Sequence, residues 1–380
     1  MRVLVCPDGF KDACSAADAA AAIAAGFRRA GWEADERPIA DGGEGFARVC
    51  AGAAGLRPVA LEVPDPLGRP VRGRFWLGRV GGAPAAALDL AEASGLERLA
   101  PGERDPHVTS TDGTGRLLAA ALDAGARDVV LGIGGSATHD GGLGAAAALG
   151  VEVLDAAGRS IDRPTAAGLP RVAAVRLDRR HPGLASARLR VACDVDNPMT
   201  GPRGAARVYA RQKGAAEADL PALDAGLAHL DRVFGESLGL SVKDRPGAGA
   251  AGGFGGGAAA LLGAELVPGA QLLLDAVGFD GLLGGADLVV TGEGSLDGQT
   301  GSGKAVAAIA RRAAEQGVPV VALAGRVRVA DPAALGLASA VEVGPGLPPE
   351  ASIARVLELL EAAAGRLAVK GPPAGGRRCS

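Results

Sequence analysis

Lysine is nearly absent from this chain of 380 residues: there are five, and the other 35 of its 40 basic residues are arginine. Aromatic residues make up only 3%. A core of stacked rings is therefore excluded, and Ala, Val and Leu must pack with close backbone approach, which the 61 glycines permit. The five cysteines, Cys6, Cys14, Cys50, Cys193 and Cys379, are odd in number and form no C-x-x-C. That argues against a disulfide framework or a zinc site and fits a reducing, cytoplasmic setting. No window approaches the roughly 18 apolar residues of a membrane span, and the run from Arg2 to Asp8 is too short for a signal peptide. The net charge is −3 and the pI about 5.9, so no basic surface points to nucleic acid. Any site for phosphate must be local.

What is present stands out against that background. Three lysines survive among Gly, Asp, Gln or Ser: Lys11 in Asp8-Gly9-Phe10-Lys11, Lys213 in Arg211-Gln212-Lys213-Gly214, and Lys304 closing Gly298-Gln299-Thr300-Gly301-Ser302-Gly303-Lys304. An ammonium is a compact point charge and a guanidinium a planar fork, so the two are not equivalent at a phosphate.

Apolar runs and caps predict an α/β chain. Val3 to Cys6 reads as a buried strand. Ser15-Ala16-Ala17-Asp18 has capping-box spacing for a helix to Ala30, closed by Gly31. A strand near Arg37 to Ala40, a helix ending at Gly55, and a turn-rich break at Pro64 to Pro70 follow. Further strands are expected at 71–77, 85–90, 129–133, 189–193, 287–291 and 319–324, with helices near 115–124, 220–234, 258–263, 304–316 and 351–366. The strand–helix pattern of the C-terminal part repeats that of the first 55 residues. The expectation is two α/β domains with largely parallel sheets, one inserted into the other. Residues 1–68 with 285–370 form the discontinuous domain, 69–284 the insert, and 371–380 a disordered tail.

The recurring unit is a strand, then a loop of Gly with Asp, Ser or Thr, then a helix. It occurs at 8–15, 41–45, 134–142 and 292–304. In open α/β sheets such strand ends and helix N-termini form the ligand crevice and attract anions. Acid beside a phosphate site implies a bridging Mg²⁺ or a hydroxyl to be oriented. Gly298 to Lys304 matches most of a phosphate-binding P-loop. However, Ala305 replaces its Ser or Thr, and the strand ends at 291, so a P-loop NTPase is rejected. Asp194-Val195-Asp196 after an apolar run resembles the nucleophile motif of aspartate-based phosphatases, which keeps Asp194 open as a nucleophile. His139 is the one histidine in a candidate loop, and no metal spacing of histidines occurs.

Taken together, Cys6-Pro7-Asp8-Gly9-Phe10-Lys11, Ala40-Asp41-Gly42-Gly43-Glu44-Gly45, Gly132 to Gly142, Ala192-Cys193-Asp194-Val195-Asp196-Asn197-Pro198, Gln212-Lys213-Gly214 and Thr291 to Thr300 resemble the class I glycerate kinase family, in family order across residues 1 to about 365. The resemblance implies ATP- and Mg²⁺-dependent phosphorylation of glycerate, generally at the 2-hydroxyl, in a cleft between two nested α/β domains. Asp41, with Glu44 in reserve, becomes the candidate base. Lys11 and Lys304 would face charge on the phosphates or the glycerate carboxylate. Gly134, Gly135 and Ser136 would offer N–H groups to a phosphate, and Asp194 and Asp196 would contact Mg²⁺ or nucleotide. Asp8, Gly42, Gly43, Asp140, Lys213, Glu293, Asp297, Gln299 and Thr300 complete the candidate binding set. Gly9, Asp12, His139 and Ser295 depart from the family's usual Ser, Gly, Asn and Arg; losing Arg at 295 removes a potential carboxylate or phosphate clamp. The partners implied are glycerate and ATP, and a homo-oligomer is left open. The rival readings are the Asp194 phosphatase and a glycerate-binding protein whose catalytic residues have decayed.

Overall fold

In the computed structural model, residues 1–10, 13–39, 45–296 and 305–373 are described. The chain divides into two units: Met1–Asp41 with Ala270–Ser380, and Gly42–Gly269.

The first unit is built from both ends of the chain. Its five-stranded sheet runs Ser339–Glu342, Val320–Val327, Leu288–Leu296, Arg2–Pro7, Glu33–Glu36, and every pairing is parallel. The N-terminal strand is fully buried from Val3 to Cys6, as parallel strands covered on both faces require. Ser15 caps the helix Ala16–Arg29 by accepting from the Asp18 amide at 3.1 Å. That helix packs on Val356–Lys370 without side chains intervening at Gly26, where a Cβ would lie 2.3 Å from the Glu361 carbonyl. Phe27 sets its ring edge-on to Trp32 at 5.2 Å, one of few aromatic pairs such a composition allows.

The second unit carries a six-stranded sheet in the order Glu265–Val267, Arg188–Ala192, Asp128–Gly132, Ala83–Asp89, Pro70–Val80, Arg57–Pro64. The first four strands are parallel, and the last two join as antiparallel neighbours. Two further strands, Glu152–Asp155 and Val172–Arg176, form a separate hairpin-like pair. Phe75, Leu88, Leu117, Leu131, Val191, Leu227, Phe234 and Phe254 form its core with many alanines. The architecture is α/β with largely parallel sheets.

Several sequence expectations shift. The unit boundaries fall after Asp41 and Gly269, not after 68 and 284. The cause is the strand Arg57–Pro64, which sequence reading missed: it pairs in register with Pro70–Val80 across the Pro64–Pro70 turn. A turn taken for a domain boundary is thus a hairpin. The second strand is Glu33–Glu36, earlier than expected, and the strand expected at 287–291 runs on to Leu296. Of the expected tail, 374–380 lies outside the described residues.

Candidate functional site

Nine of the expected site residues, Lys11, Asp41, Gly42, Gly43, Glu44, Asp297, Gln299, Thr300 and Lys304, lie outside the described residues. The others group at the carboxyl ends of the parallel strands of each unit, where ligands bind in open α/β sheets.

In the first unit the site is acidic. Pro7 pairs with Gly292, so Asp8 and Glu293 follow the same rung on neighbouring strands. The Asp8 amide donates to the Gly292 carbonyl at 2.8 Å, and the Asp8 carboxylate accepts from the Gly9 amide at 2.6 Å. Glu293 is 9% exposed and sits inside the strand, not in the loop that sequence placed it in. Because that strand ends at Leu296, its distance from Lys304 no longer argues against a P-loop; the absent hydroxyl at Ala305 still does. Ser295 stands opposite Arg326, whose guanidinium is engaged by Glu342 at 2.8 Å and the Leu347 carbonyl at 2.9 Å. A side chain at Gly9 would have its nearest neighbours at 3.8 Å, so serine would fit there.

In the second unit the site presents N–H groups and positive charge. After the strand Asp128–Gly132 the chain turns through Gly134, Gly135 (φ 68°) and Ser136. The carbonyl of Gly135 accepts from Leu96, and the Ala137 amide donates to Ser94, fixing the turn from outside. The amides of Gly134 and Gly135 donate to no acceptor among the described residues. Successive N–H groups around a left-handed residue form an anion-binding nest.

Beneath this turn lies Lys213, 1% exposed. Its Nζ donates to Ser136 Oγ at 2.8 Å and to the Thr138 carbonyl at 2.7 Å. Burial pulls its pKa down to about 7, and the charge of Asp140 opposes that. His139 is fully buried, with no hydrogen bond of normal geometry to either ring nitrogen. Burial and the Lys213 charge lower its pKa to about 3; the Leu223 backbone opposes this without making such a bond.

Asp140 is committed to the scaffold. One carboxylate oxygen accepts from the Thr111 amide (2.8 Å), the Thr111 hydroxyl (2.7 Å) and the Gly144 amide (3.1 Å); the other accepts from Gly142 (3.0 Å). Burial raises its pKa, and these bonds oppose the rise. These four donors tie the loop to the start of the next helix and to Thr111. The glycine run that sequence left without a purpose backs the same loop. A Cβ at Gly252 would lie 2.1 Å from the Thr138 carbonyl, and one at Gly257 1.9 Å from that of Gly141. Ala251 is held there at φ 52°, a left-handed conformation alanine rarely adopts.

Asp194 and Asp196 follow the strand Arg188–Ala192. Asp196 is exposed and bonded to Arg203 at 2.6 Å, which lowers its pKa. Among the described residues no three His, Cys, Asp or Glu side chains come together as a metal site.

Sequence reasoning missed Asp89. It ends the strand Ala83–Asp89, is 5% exposed, and accepts from the Ala47 amide at 3.0 Å in the first turn of the helix Phe46–Ala54. It borders a cavity of about 500 Å³ that also meets Arg48, Trp76 and Glu97. A carboxylate ending an apolar strand was the available signal, hidden because Leu90 seemed to prolong the run.

Glycine-rich turns at strand ends and a buried lysine in an α/β chain suit an enzyme acting on an anionic ligand. The glycerate kinase family model matches residues 3–370. The Bacillus subtilis (strain 168) glycerate kinase is 43% identical, over 86% of this chain and 85% of that protein. The Escherichia coli (strain K12) glycerate 2-kinase is 39% identical over 86% and 85%. A Salmonella typhimurium LT2 crystal structure assigned as glycerate kinase 2 superposes with a TM-score of 0.83 at 37% identity, covering 97% of this chain and 98% of that one. The chain belongs to the glycerate kinase family. Among the described residues no helix is long and apolar enough to cross a membrane.

Proposed function

We propose that this enzyme transfers the γ-phosphoryl group of ATP to the 2-hydroxyl of glycerate, giving 2-phosphoglycerate and ADP, in the cytoplasm. The observation that carries this reading is the 134–136 nest above Lys213 in a chain with this family relationship. A nest of amides over a buried ammonium suits an oxyanion, and phosphoryl transfer depends chiefly on positioning and charge stabilisation. The position of transfer follows the Escherichia coli relative described as a 2-kinase.

In this reading Asp41 takes the proton of the attacking hydroxyl as the new O–P bond forms and the bond to the ADP oxygen breaks. Glu44 stands behind it. Lys11 and Lys304 meet negative charge on phosphate or carboxylate, and Gly42, Gly43, Asp297, Gln299 and Thr300 line the same chemistry. Asp8 and Glu293 supply acceptors for hydroxyls. Mg²⁺ enters as the counter-ion of the nucleotide phosphates, the usual mode for that ion; no step here uses a protein metal pair at Asp194 and Asp196.

A coupled ADP-release assay tests the reading by omission. ADP should appear only when ATP, glycerate and Mg²⁺ are all present. Release of phosphate from phosphoesters without ATP would replace it with the Asp194 phosphatase. Ligand binding with no turnover would favour a decayed binding protein.

A further inference from the structure

Lys213 is an amine sealed under a loop, and when charged it has no ion pair to a carboxylate among the described residues. Buried charges are ordinarily paired, because desolvation costs far more than neutral hydrogen bonds return. Lys213 has two neutral oxygens, Ser136 Oγ and the Thr138 carbonyl. The nearest acid, Asp140, spends both its oxygens on Thr111, Gly142 and Gly144. The other charged or titratable groups around it offer no compensation. His139 is buried beside it, Arg104 contributes the carbonyl that backs Gly214, and Arg211 in its own turn is paired with Glu217. Above it, the Gly134 and Gly135 amides have no acceptor among the described residues. A missing negative charge below the loop and an unfilled donor set on it are two halves of one arrangement.

We propose that Lys213 is a positioning residue whose counter-ion is the ligand: a compact oxyanion seated on the Gly134–Ser136 turn, with the ammonium acting on it through the Ser136 hydroxyl. This rests on the phosphotransferase reading for the identity of the anion, which is either a nucleotide phosphate or the glycerate carboxylate. The ammonium touches no substrate atom. It holds Ser136 and Thr138 in place and is charged when the site is filled.

Binding is then coupled to protonation. The free protein holds Lys213 at about 7 by burial, so above neutrality much of it is uncharged. An anion on the turn favours the charged form and raises that pKa. Binding at pH 8 should therefore take up about one proton, the expected linkage when only the bound state favours protonation.

Calorimetric titration at pH 8 in buffers of different ionisation enthalpy reads this directly, with ADP and glycerate titrated separately. Uptake of about one proton with ADP assigns the turn to a nucleotide phosphate; the same with glycerate assigns it to the carboxylate. Binding of both with no uptake overturns the proposal, and this outcome needs no variant. Lys213→Met should bind more weakly and lose the coupling, and Lys213→Arg, always charged, should retain part of the affinity without coupling. A merely structural lysine would leave the proton count unchanged in whichever variant folds. Turnover of wild type is measured on the same samples. Active enzyme without uptake sinks the Lys213 role alone, uptake without turnover sinks the kinase reading alone, and absence of binding by both probes sinks both.

Discussion

Both units are α/β, one with an all-parallel sheet and one with a mixed sheet, and their described strand ends carry different groups. In the first, Asp8 and Glu293 follow one rung of a parallel ladder and make the rim acidic. In the second, the rim is a turn of amides over a buried lysine. Like carboxylates close together favour a hydroxyl or a cation, whereas a nest favours an oxyanion. In the proposed function the first end would handle the acceptor hydroxyl and the second an anion, a difference that lies in loops of only a few residues.

The supports differ too. The second unit's loop is held by Asp140, Lys213 and the 251–257 glycine run, so removing the hub should have the largest effect on that side. Asp140→Ala leaves a hydroxyl and three buried amides without their acceptor. At about 1–3 kcal/mol for each unsatisfied group, a loss of at least ~3 kcal/mol is expected. Urea unfolding should show it as a lower midpoint with an unchanged slope. A midpoint within error of wild type would mean that the loop does not depend on Asp140.

On the acidic side the effect should fall on turnover. Asp41→Asn should lower kcat about 10²-fold or more, as loss of a general base does, with an unchanged melting temperature. Near-normal kcat would move the base to another group.

Lys304 tests whether positive charge is also needed in the first unit. Lys304→Ala should weaken ATP or glycerate more than tenfold, since a charge-assisted contact is worth about 1.5–3 kcal/mol. Lys304→Arg should restore it only in part. Equal binding by all three proteins would make Lys304 a solvated residue of a helix start.

The smallest effect concerns acid stability. His139 is held near 3 in the folded protein and returns to its ordinary value of about 6.5 on unfolding. The unfolded chain binds the extra proton, so this group costs stability as pH falls from about 6.5 towards 3 and costs nothing above. His139→Asn should flatten the fall in melting temperature over that window. Parallel curves would show that the imidazole is not buried neutral.

Much of this division was legible in the sequence. Parallel strands announced themselves as short apolar runs, and the Ser15 cap and Gly31 marked the first helix. Lysine placement pointed to Lys213 because arginine is used almost everywhere else. What stayed hidden depended on partners distant in the chain. Arg57–Pro64 carries prolines at 58 and 64 that read as turn signals, and its strand shows only in the pairing with Pro70–Val80. Asp140 looked like a ligand because its four donors come from Thr111 and from a loop that must first fold back. The contact of Asp196 with Arg203, seven residues on, was likewise not legible in the sequence.

The central claim is that the acidic end prepares the glycerate hydroxyl for phosphoryl transfer while the turn over Lys213 holds an oxyanion. Phosphorus NMR of the product formed from ATP, Mg²⁺ and glycerate tests it most directly, with carbon-coupling to place the phosphate. The account predicts a single phosphomonoester on the 2-position, formed in step with ADP. Phosphate on the 3-position, or inorganic phosphate with no ester formed, would contradict it.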